Sequence, residues 1–236
     1  MSARIHSMAM AHERPTKLEV YRSQSVARDY DQRWAGAIGA KRDARKARAL
    51  QKALQCIETH AGEKALSLLD IPCGTGRFSQ LWSDRNLHVI GADLALPMLA
   101  EAQAKYPQST YLAADLAKLP FADNSVDVAI CVRFLHLVRD PDLRVAFLKE
   151  LNRVSRLGAI IDYRHGRTLR VWGRHLRYRL GLRAGAPANP SPRQIRQELD
   201  SAGWKRLDWI HVHRAPLLSD KVLIPAVTAE FGLPKT

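Results

Sequence analysis

Asp70-Ile71-Pro72-Cys73-Gly74-Thr75-Gly76 follows directly on the apolar run Ala65-Leu66-Ser67-Leu68-Leu69. The run predicts a short buried strand that ends at a carboxylate, turns through two glycines and enters a helix near Arg77. Glycine adopts backbone angles that other residues rarely reach, and it lets a ligand approach the main chain closely. The helix that follows offers unpaired N–H groups at its N-terminus. This stretch therefore predicts a strand, loop and helix that bind a ligand.

Strands and helices alternate along the chain on both sides of this stretch. Strands are predicted over 66–70, 87–92, 110–114, 126–132 and 158–163. The helices between them are predicted over 77–84, 96–106 and 142–155. A helix with a capping-box start over 192–201 and late strands over 204–213 and 221–227 follow. This alternation is typical of an α/β fold with a doubly wound parallel sheet.

The flanking regions differ from this core in composition. We expect residues 1–17, which are polar, to be disordered, and residues 18–62 to form an N-terminal helical lid. The lid contains a predicted helix over 40–60 with an apolar face and with a basic face that includes Lys46. Residues 63–236 are expected to form the main domain, in which 164–190 are a basic helical insertion before the last two strands.

The composition of the chain bears on its partners and its setting. Its 236 residues carry a formal net charge of +14, which favours an anionic partner, although a basic surface also serves solubility alone. Cys56, Cys73 and Cys131 have no paired spacing, so neither disulfides nor a zinc site is predicted, and a reducing, cytoplasmic setting is expected. We predict no membrane span, no signal peptide and no metal.

Three carboxylates fall at the predicted carboxyl ends of successive strands. Asp70, Asp93 and Asp115 follow one another at intervals of 23 and 22 residues. Ligands of open parallel sheets bind at the carboxyl ends of the strands, beside the point where the strand order reverses. Aspartate also follows many strands as a simple turn or helix cap. Together with Gly74 and Gly76, however, the three aspartates form a pattern more specific than any one of them.

This pattern resembles the cofactor site of class I S-adenosylmethionine (SAM) dependent methyltransferases, in the branch that acts on quinones, lipids and small metabolites. The resemblance covers residues 66–162 well and the flanks loosely. It implies SAM as the cofactor and a seven-stranded Rossmann-like sheet. The upstream stretch Ser25-Val26-Ala27-Arg28-Asp29-Tyr30-Asp31 also resembles a lid segment of that branch, which implies that Tyr30 borders the cofactor pocket.

The resemblance assigns the amino-acid part of SAM to the loop after the first strand. It implies that Gly74 and Gly76 pass close under this part of the cofactor, with Pro72 and Cys73 in the same loop. Pro72 stands where many members carry a glycine, and proline also suits a tight turn. Asp70 is implied to order the loop and to meet the ammonium group.

The nucleoside part of SAM is assigned to the next two strand ends. Asp93, followed by Leu94, is implied to accept hydrogen bonds from the two ribose hydroxyls, since an ionised carboxylate accepts with both oxygens. Asp115 is implied to accept a hydrogen bond from the adenine amino group, and the N–H of Leu116 is implied to face a ring nitrogen. Met98 is implied to lie on the adenine face.

A dinucleotide-binding domain is the main competing interpretation. Its fingerprint has three glycines and an acidic residue about 20 positions further on. In this chain Ser79 occupies the position of the third glycine of that fingerprint. The fingerprint also assigns no role to an aspartate at the position of Asp115. A chain that binds SAM without catalysing a reaction stays open as an alternative.

Methyl transfer from a sulfonium is an in-line displacement, which requires alignment of a nucleophile in a dry pocket. A hydroxyl or protonated amine nucleophile also benefits from a base. His136 stands where many small-molecule methyltransferases of this kind carry histidine, although it also suits packing in a short helix. Arg133 is a candidate to hold a substrate carboxylate or phosphate, or to pair with Asp140.

Absent motifs narrow the expected substrate. No Asp/Asn-Pro-Pro-Tyr/Phe sequence follows the fourth strand, so methylation of nucleobase amines is disfavoured. We therefore expect methyl transfer to an oxygen, nitrogen or carbon of a small-molecule or lipid-like substrate of anionic character. The alternative is an RNA-associated methyltransferase or SAM-binding protein that engages nucleic acid through its basic surface.

The basic insertion is the candidate for such a surface. Arg167, Arg170, Arg174 and Arg177 recur at helical spacing and predict a cationic face for an anionic membrane surface or RNA. A neighbouring stripe is predicted to pack on the domain; it consists of Leu169, Trp172, Leu176 and Leu180. The alternative is a lid helix that packs its apolar stripe on the domain and whose arginines only face solvent.

Overall fold

The computed structural model describes residues 23–182, 189–213, 217 and 219–229. The predicted disordered segment 1–17 lies outside them. Within the described residues the strands are β1 Ser67–Asp70, β2 His88–Asp93, β3 Thr110–Ala113, β4 Val126–Cys131, β5 Ser155–Arg164, β6 Trp204–Arg206, β7 Ile210–His211 and β8 Lys221–Thr228. All of them join one sheet.

The strand order of this sheet is β3-β2-β1-β4-β5-β8-β6, with β7 also paired to β8. The first five strands are parallel, and β8 runs antiparallel to β5. Because β1 lies between β2 and β4, the chain leaves β1 in one direction and later returns to its other side. The carboxyl end of β1 is therefore the switch point at which such sheets bind ligands.

The late strand predicted over 204–213 is interrupted in the structure. Its two ends form β6 and β7, which pair with the same edge of β8 around Ala226 and Leu223 respectively. They occupy a single place in the sheet. The predicted doubly wound, seven-stranded Rossmann-like architecture is thus confirmed, with its edge place shared by two short strands.

Helices cover both faces of the sheet. The described helices are α1 Gln24–Asp29, α2 Gly36–Ala61, α3 Ser79–Ser83, α4 Leu96–Lys105, α5 Pro141–Val154, α6 Leu169–Arg179 and α7 Pro192–Ser201. Short 3₁₀ turns lie at Asp31–Trp34 and Leu135–Leu137. None of the described helices is both long and apolar enough to cross a bilayer.

Two apolar clusters form the core, one on each face of the sheet. Alternation along β5 directs Ile161 into the cluster under α5 and α7, and Ile160 into the cluster under α2 and α3. On α2, Leu50, Leu54 and Ile57 are fully buried, as their spacing predicts. The helix ends at Gly62, whose φ of 73° is the left-handed angle that glycine supplies at such ends.

Lys46, which the sequence places on the basic face of α2, differs from an ordinary surface lysine. It is buried, and its Nζ lies 2.7 Å from Oδ2 of Asp162 on β5. Burial lowers the pKa of Lys46, and the Asp162 carboxylate acts in the opposite direction. A buried charge is tolerated only when it is paired. The contact between α2 and the end of β5 therefore includes an ion pair that local spacing does not reveal.

The predicted packing of the basic insertion is wrong. Helix α6 does form, with Thr168 accepting the Val171 N–H at its start, but its apolar stripe faces solvent. Trp172 is 65% exposed, and the other stripe residues Leu169, Leu176 and Leu180 are exposed as well. The helix instead turns Arg174 towards the domain, where it pairs with the buried carboxylate of Asp220 at 2.9 Å. An unpaired buried carboxylate costs more than a few exposed apolar side chains.

A buried ionic cluster connects α5, α7 and β5. The Arg144 guanidinium binds both carboxylate oxygens of Glu198, with Nε at 3.0 Å from Oε2. The Tyr163 hydroxyl donates to the same carboxylate at 2.6 Å. Ser191 and Gln194 form the predicted capping box at the start of α7, which fixes the helix that carries Glu198.

We expect Glu198→Ala to destabilise the fold strongly, because it leaves the Arg144 charge and the Tyr163 hydroxyl buried without their carboxylate. Removing one partner of a buried ion pair costs about 3–5 kcal/mol. Urea unfolding measures this loss, and Asp200→Ala, at an exposed position of the same helix, serves as the control. Equal midpoints for the two variants would contradict the structural role of the cluster.

Candidate functional site

A cavity of about 260 Å³ opens at the carboxyl ends of the parallel strands, beside the switch point at β1. The loops after β1, β2, β3 and β4 form its walls. The predicted site residues that line it are Tyr30, Asp70, Pro72, Cys73, Gly74, Asp93, Leu94, Met98, Asp115, Leu116 and Arg133. Gly76 and His136 are not among its lining residues. The sheet thus brings together residues from five separate stretches of the chain.

Asp93 holds two of the loops that form this cavity. Its Oδ2 accepts the N–H of Gly74, and its Oδ1 accepts the N–H of Ala95, both at 2.8 Å. Burial raises the pKa of Asp93, whereas these backbone donors act to lower it. Each carboxylate oxygen retains a further lone pair. The carboxylate is therefore able to order the loops and still accept hydrogen bonds from a ligand.

Asp70 lies at the end of β1 in a more apolar setting. Burial, with a smaller contribution from the negative charge of Asp93, raises the pKa of Asp70 to about 7. Burial, together with the negative charges of Asp70 and Asp93, raises the pKa of the neighbouring Cys73 thiol well above its usual value. The thiol of Cys73 is therefore favoured over the thiolate, which is the nucleophilic form. A cationic ligand beside Asp70 would favour its ionised form.

The two glycines of the loop differ in their surroundings. Both have positive φ, 57° at Gly74 and 68° at Gly76, so both need glycine for the backbone. A Cβ at Gly74 would meet nothing within 4 Å, whereas one at Gly76 would lie 3.1 Å from Ala102 and from the Tyr106 ring. Gly74 therefore leaves space for close approach of a ligand, and Gly76 allows α4 to pack on the loop.

The segment before α2 packs over the glycine loop. Thr75 Oγ1 donates to Oδ1 of Asp31 at 2.9 Å, and Lys105 pairs with the same carboxylate. Next to Asp31, the ring of Tyr30 lies 5.5 Å from the Arg133 guanidinium carbon in a cation–π contact. Arg133 thereby joins the loop after β4 to the N-terminal segment. These contacts agree with a lid in this segment, which stays a prediction.

An apolar wall of the cavity was missed by the sequence analysis. It consists of Phe134, Leu137 and Phe147, and the rings of the two phenylalanines lie 5.5 Å apart. Phe147 lies on the buried face of α5 and is 6% exposed. Helical spacing places a residue on the buried face, but it does not distinguish core from cavity wall. The half-buried His136 lies within the 3₁₀ turn, next to Leu137.

Comparison with known proteins agrees with this geometry. Residues 69–161 match the family model described as a methyltransferase domain. This central stretch of the chain is similar to a methyltransferase domain. The malonyl-[acyl-carrier protein] O-methyltransferase of Pectobacterium atrosepticum is 36% identical over 113 residues, which are 48% of this chain and 42% of that protein. The demethylmenaquinone methyltransferase of Renibacterium salmoninarum is 37% identical over 92 residues, 39% of this chain and 37% of that protein. The matches thus span less than half of these relatives.

Solved structures share the architecture of the methyltransferase domain over a longer range. The magnesium protoporphyrin IX methyltransferase of Synechocystis superposes with a TM-score of 0.63 and 19% identity, over 87% of this chain and 99% of its own. An S-adenosylmethionine-dependent methyltransferase of Clostridium acetobutylicum gives the same TM-score at 15% identity, over 86% and 97% of the two chains. The identification of a class I SAM-dependent methyltransferase fold from the sequence is confirmed.

The pKa of Asp70 predicts how stability depends on pH. Because this pKa is raised in the folded protein, the folded state binds more protons than the unfolded state between about pH 4 and 7. Stability from this group is therefore present at low pH and is lost as the pH rises through 7. Asp70→Asn mimics the protonated form. Its free energy of unfolding should therefore rise relative to that of the wild type by up to about 1.4 kcal/mol per pH unit in this window. Urea unfolding between pH 4.5 and 7.5 measures the two free energies of unfolding. A difference between the variant and the wild type that stays constant over this range would contradict the raised pKa of Asp70.

Proposed function

We propose that the chain binds SAM in the cavity at the switch point and transfers its methyl group to an oxygen, nitrogen or carbon of a small-molecule or lipid-like acceptor. The observation that carries this proposal is the convergence of Asp70, the glycine loop, Asp93 and Asp115 on one cavity of a methyltransferase fold. When bound, SAM supplies the electrophilic methyl group.

The donor groups of the cavity fit this cofactor. The free lone pairs of Asp93 suit two neighbouring ribose hydroxyls, and the open space at Gly74 suits the amino-acid part. Met98 and Leu116 offer apolar contact to the adenine, with Asp115 beside them at an exposed edge. The remaining predicted contacts are Pro72, Cys73, Leu94 and Tyr30. Gly76 contributes through the shape of the loop.

The residues of this chain would promote transfer chiefly by alignment and by exclusion of water. The Asp70 carboxylate, whose ionised form a cationic ligand favours, would orient the ammonium end of the cofactor. The apolar wall of Phe134, Leu137 and Phe147 would keep the region of the nucleophile dry. Alignment of two reactants in this way supplies a large part of the rate enhancement in group transfer.

The relatives support a small-molecule or acyl-type acceptor. Two of them are named for O-methylation of malonyl-[acyl-carrier protein] and for methylation of demethylmenaquinone. The RNA alternative and an anionic membrane partner gain no support from these relatives. The predicted arginine surface is also divided, because Arg170 lines a second cavity and Arg174 pairs with Asp220.

The cofactor assignment predicts the effect of Asp93→Ala. A hydrogen bond to a charged group contributes about 1.5–3 kcal/mol, so SAM and S-adenosylhomocysteine should bind about tenfold to a hundredfold more weakly. Calorimetry measures the affinities, and thermal unfolding checks that the variant is folded. Unchanged affinity would remove the ribose assignment. Binding of NAD without binding of SAM would remove the cofactor assignment as a whole.

His136 is the residue that we propose as the general base. His136→Ala should lower kcat while the affinity for SAM stays at the wild-type value, and the wild-type rate should fall as the pH drops through the imidazole pKa. His88→Ala, at an exposed position at the start of β2, is the control. If His136→Ala retains the wild-type pH–rate profile, the imidazole serves packing alone.

A further inference from the structure

A second, larger cavity adjoins the first. Its volume is about 570 Å³, and it shares Arg77, Phe78 and Arg133 with the cofactor cavity. Its other walls come from α2, from the end of β5, from α6 and from the start of β8. Because Arg133 follows β4 and lines both cavities, the second cavity lies where an acceptor would reach a cofactor in the first.

The walls of this second cavity carry a large excess of positive charge. Three aspartates line it, namely Asp43, Asp162 and Asp220. Eight basic side chains face them: Arg42, Arg45, Lys46, Arg77, Arg133, Arg164, Arg170 and Lys221. Clustered charges of one sign repel one another unless a counter-ion is bound.

Each aspartate of the cavity is already bound to a cation. Asp43 pairs with Arg77, Asp162 pairs with Lys46, and Asp220 pairs with Arg174, which lies outside the lining. These ion pairs neutralise the three negative charges of the cavity walls. The excess positive charge therefore resides on the other basic residues.

Four basic side chains of the cavity lack a carboxylate partner among the residues that the structure describes: Arg42, Arg164, Arg170 and Lys221. Arg45 donates to a main-chain carbonyl, that of Lys41, at 3.2 Å. Burial, followed by repulsion from Arg164 and Lys46, lowers the pKa of Lys221. A bound anion would relieve this repulsion.

Asp162, one of the residues that line the cavity, has an unmet hydrogen-bond acceptor. Asp162 is 6% exposed, and its Oδ2 accepts from both Lys46 Nζ and the N–H of Arg133, at 2.7 and 3.1 Å. Its Oδ1 is buried without a hydrogen-bond partner among the described residues. Buried polar atoms are ordinarily satisfied, so a ligand that brings an O–H or N–H to this oxygen fits the site.

We propose that the second cavity binds the methyl acceptor, and that this acceptor carries an oxyanion, a carboxylate or phosphate, together with a hydroxyl or amine that donates to Oδ1 of Asp162. The proposal rests on the proposed function for the assignment of the ligand as the acceptor. Arginine forks bind carboxylates and phosphates through paired hydrogen bonds, which makes Arg164 and Arg170 the principal contacts.

The test uses the full chain and three defined probes: inorganic phosphate, succinate and malate. Calorimetry at low salt should show that the wild type binds phosphate or succinate, and that affinity falls as salt is added. The double variant Arg164→Gln/Arg170→Gln should bind at least tenfold more weakly. The matched control is Arg167→Gln/Arg177→Gln, which removes the same charge from exposed positions outside the cavity and should bind as the wild type does.

The arms of this experiment separate the possible failures. Preference for phosphate or for succinate identifies the oxyanion, and tighter binding of malate than of succinate is expected from a hydroxyl at Asp162. Equal affinity for these two acids would remove the role of Asp162. If neither anion binds the wild type, or if both double variants bind alike, the anionic cavity is overturned even where SAM binds normally. Loss of SAM binding in the wild type would instead overturn the proposed function.

Discussion

The carboxylate of Asp162 connects three parts of the chain that meet between the two cavities. This carboxylate on β5 pairs with the ammonium of Lys46 on α2 and accepts a hydrogen bond from the backbone N–H of Arg133 in the loop after β4. Neither charge is stable alone in this buried position, so the ion pair requires α2 to cross the end of the sheet. The position of Arg133, and with it the wall common to both cavities, depends on this contact.

Asp93 performs a similar task at the other end of the site. It joins the loop after β1 to the start of α4, as Asp162 joins the loop after β4 to α2. Both are carboxylates near the carboxyl ends of parallel strands, where backbone N–H groups of the following loops are unpaired. In each case a buried negative charge is stabilised by donors from its neighbours, and the loops are ordered in return.

Features that depend on local spacing were predictable from the sequence, whereas those that depend on distant partners were not. The strands, the capping box at Ser191 and the three strand-end aspartates follow from periodicity and turn chemistry. The orientation of α6 is set by Asp220, 46 residues beyond Arg174, and the burial of Lys46 by a partner 116 residues away. The cationic cavity is assembled from α2, α6, the end of β5, the start of β8 and the loops after β1 and β4, so it has no signature in any single stretch of the chain.

The two cavities have opposite unmet charges. The first holds Asp70 and Asp93, and burial together with the negative charge of Asp93 raises the pKa of Asp70. The second holds basic side chains, among them Lys221, whose pKa is lowered by burial and then by repulsion from Arg164 and Lys46. A cationic methyl donor in the first and an anionic acceptor in the second would satisfy both. If a carboxylate of the acceptor is itself methylated, transfer removes the sulfonium charge of the donor and the negative charge of the acceptor, so the methylated acceptor loses its attraction to the basic walls of the second cavity.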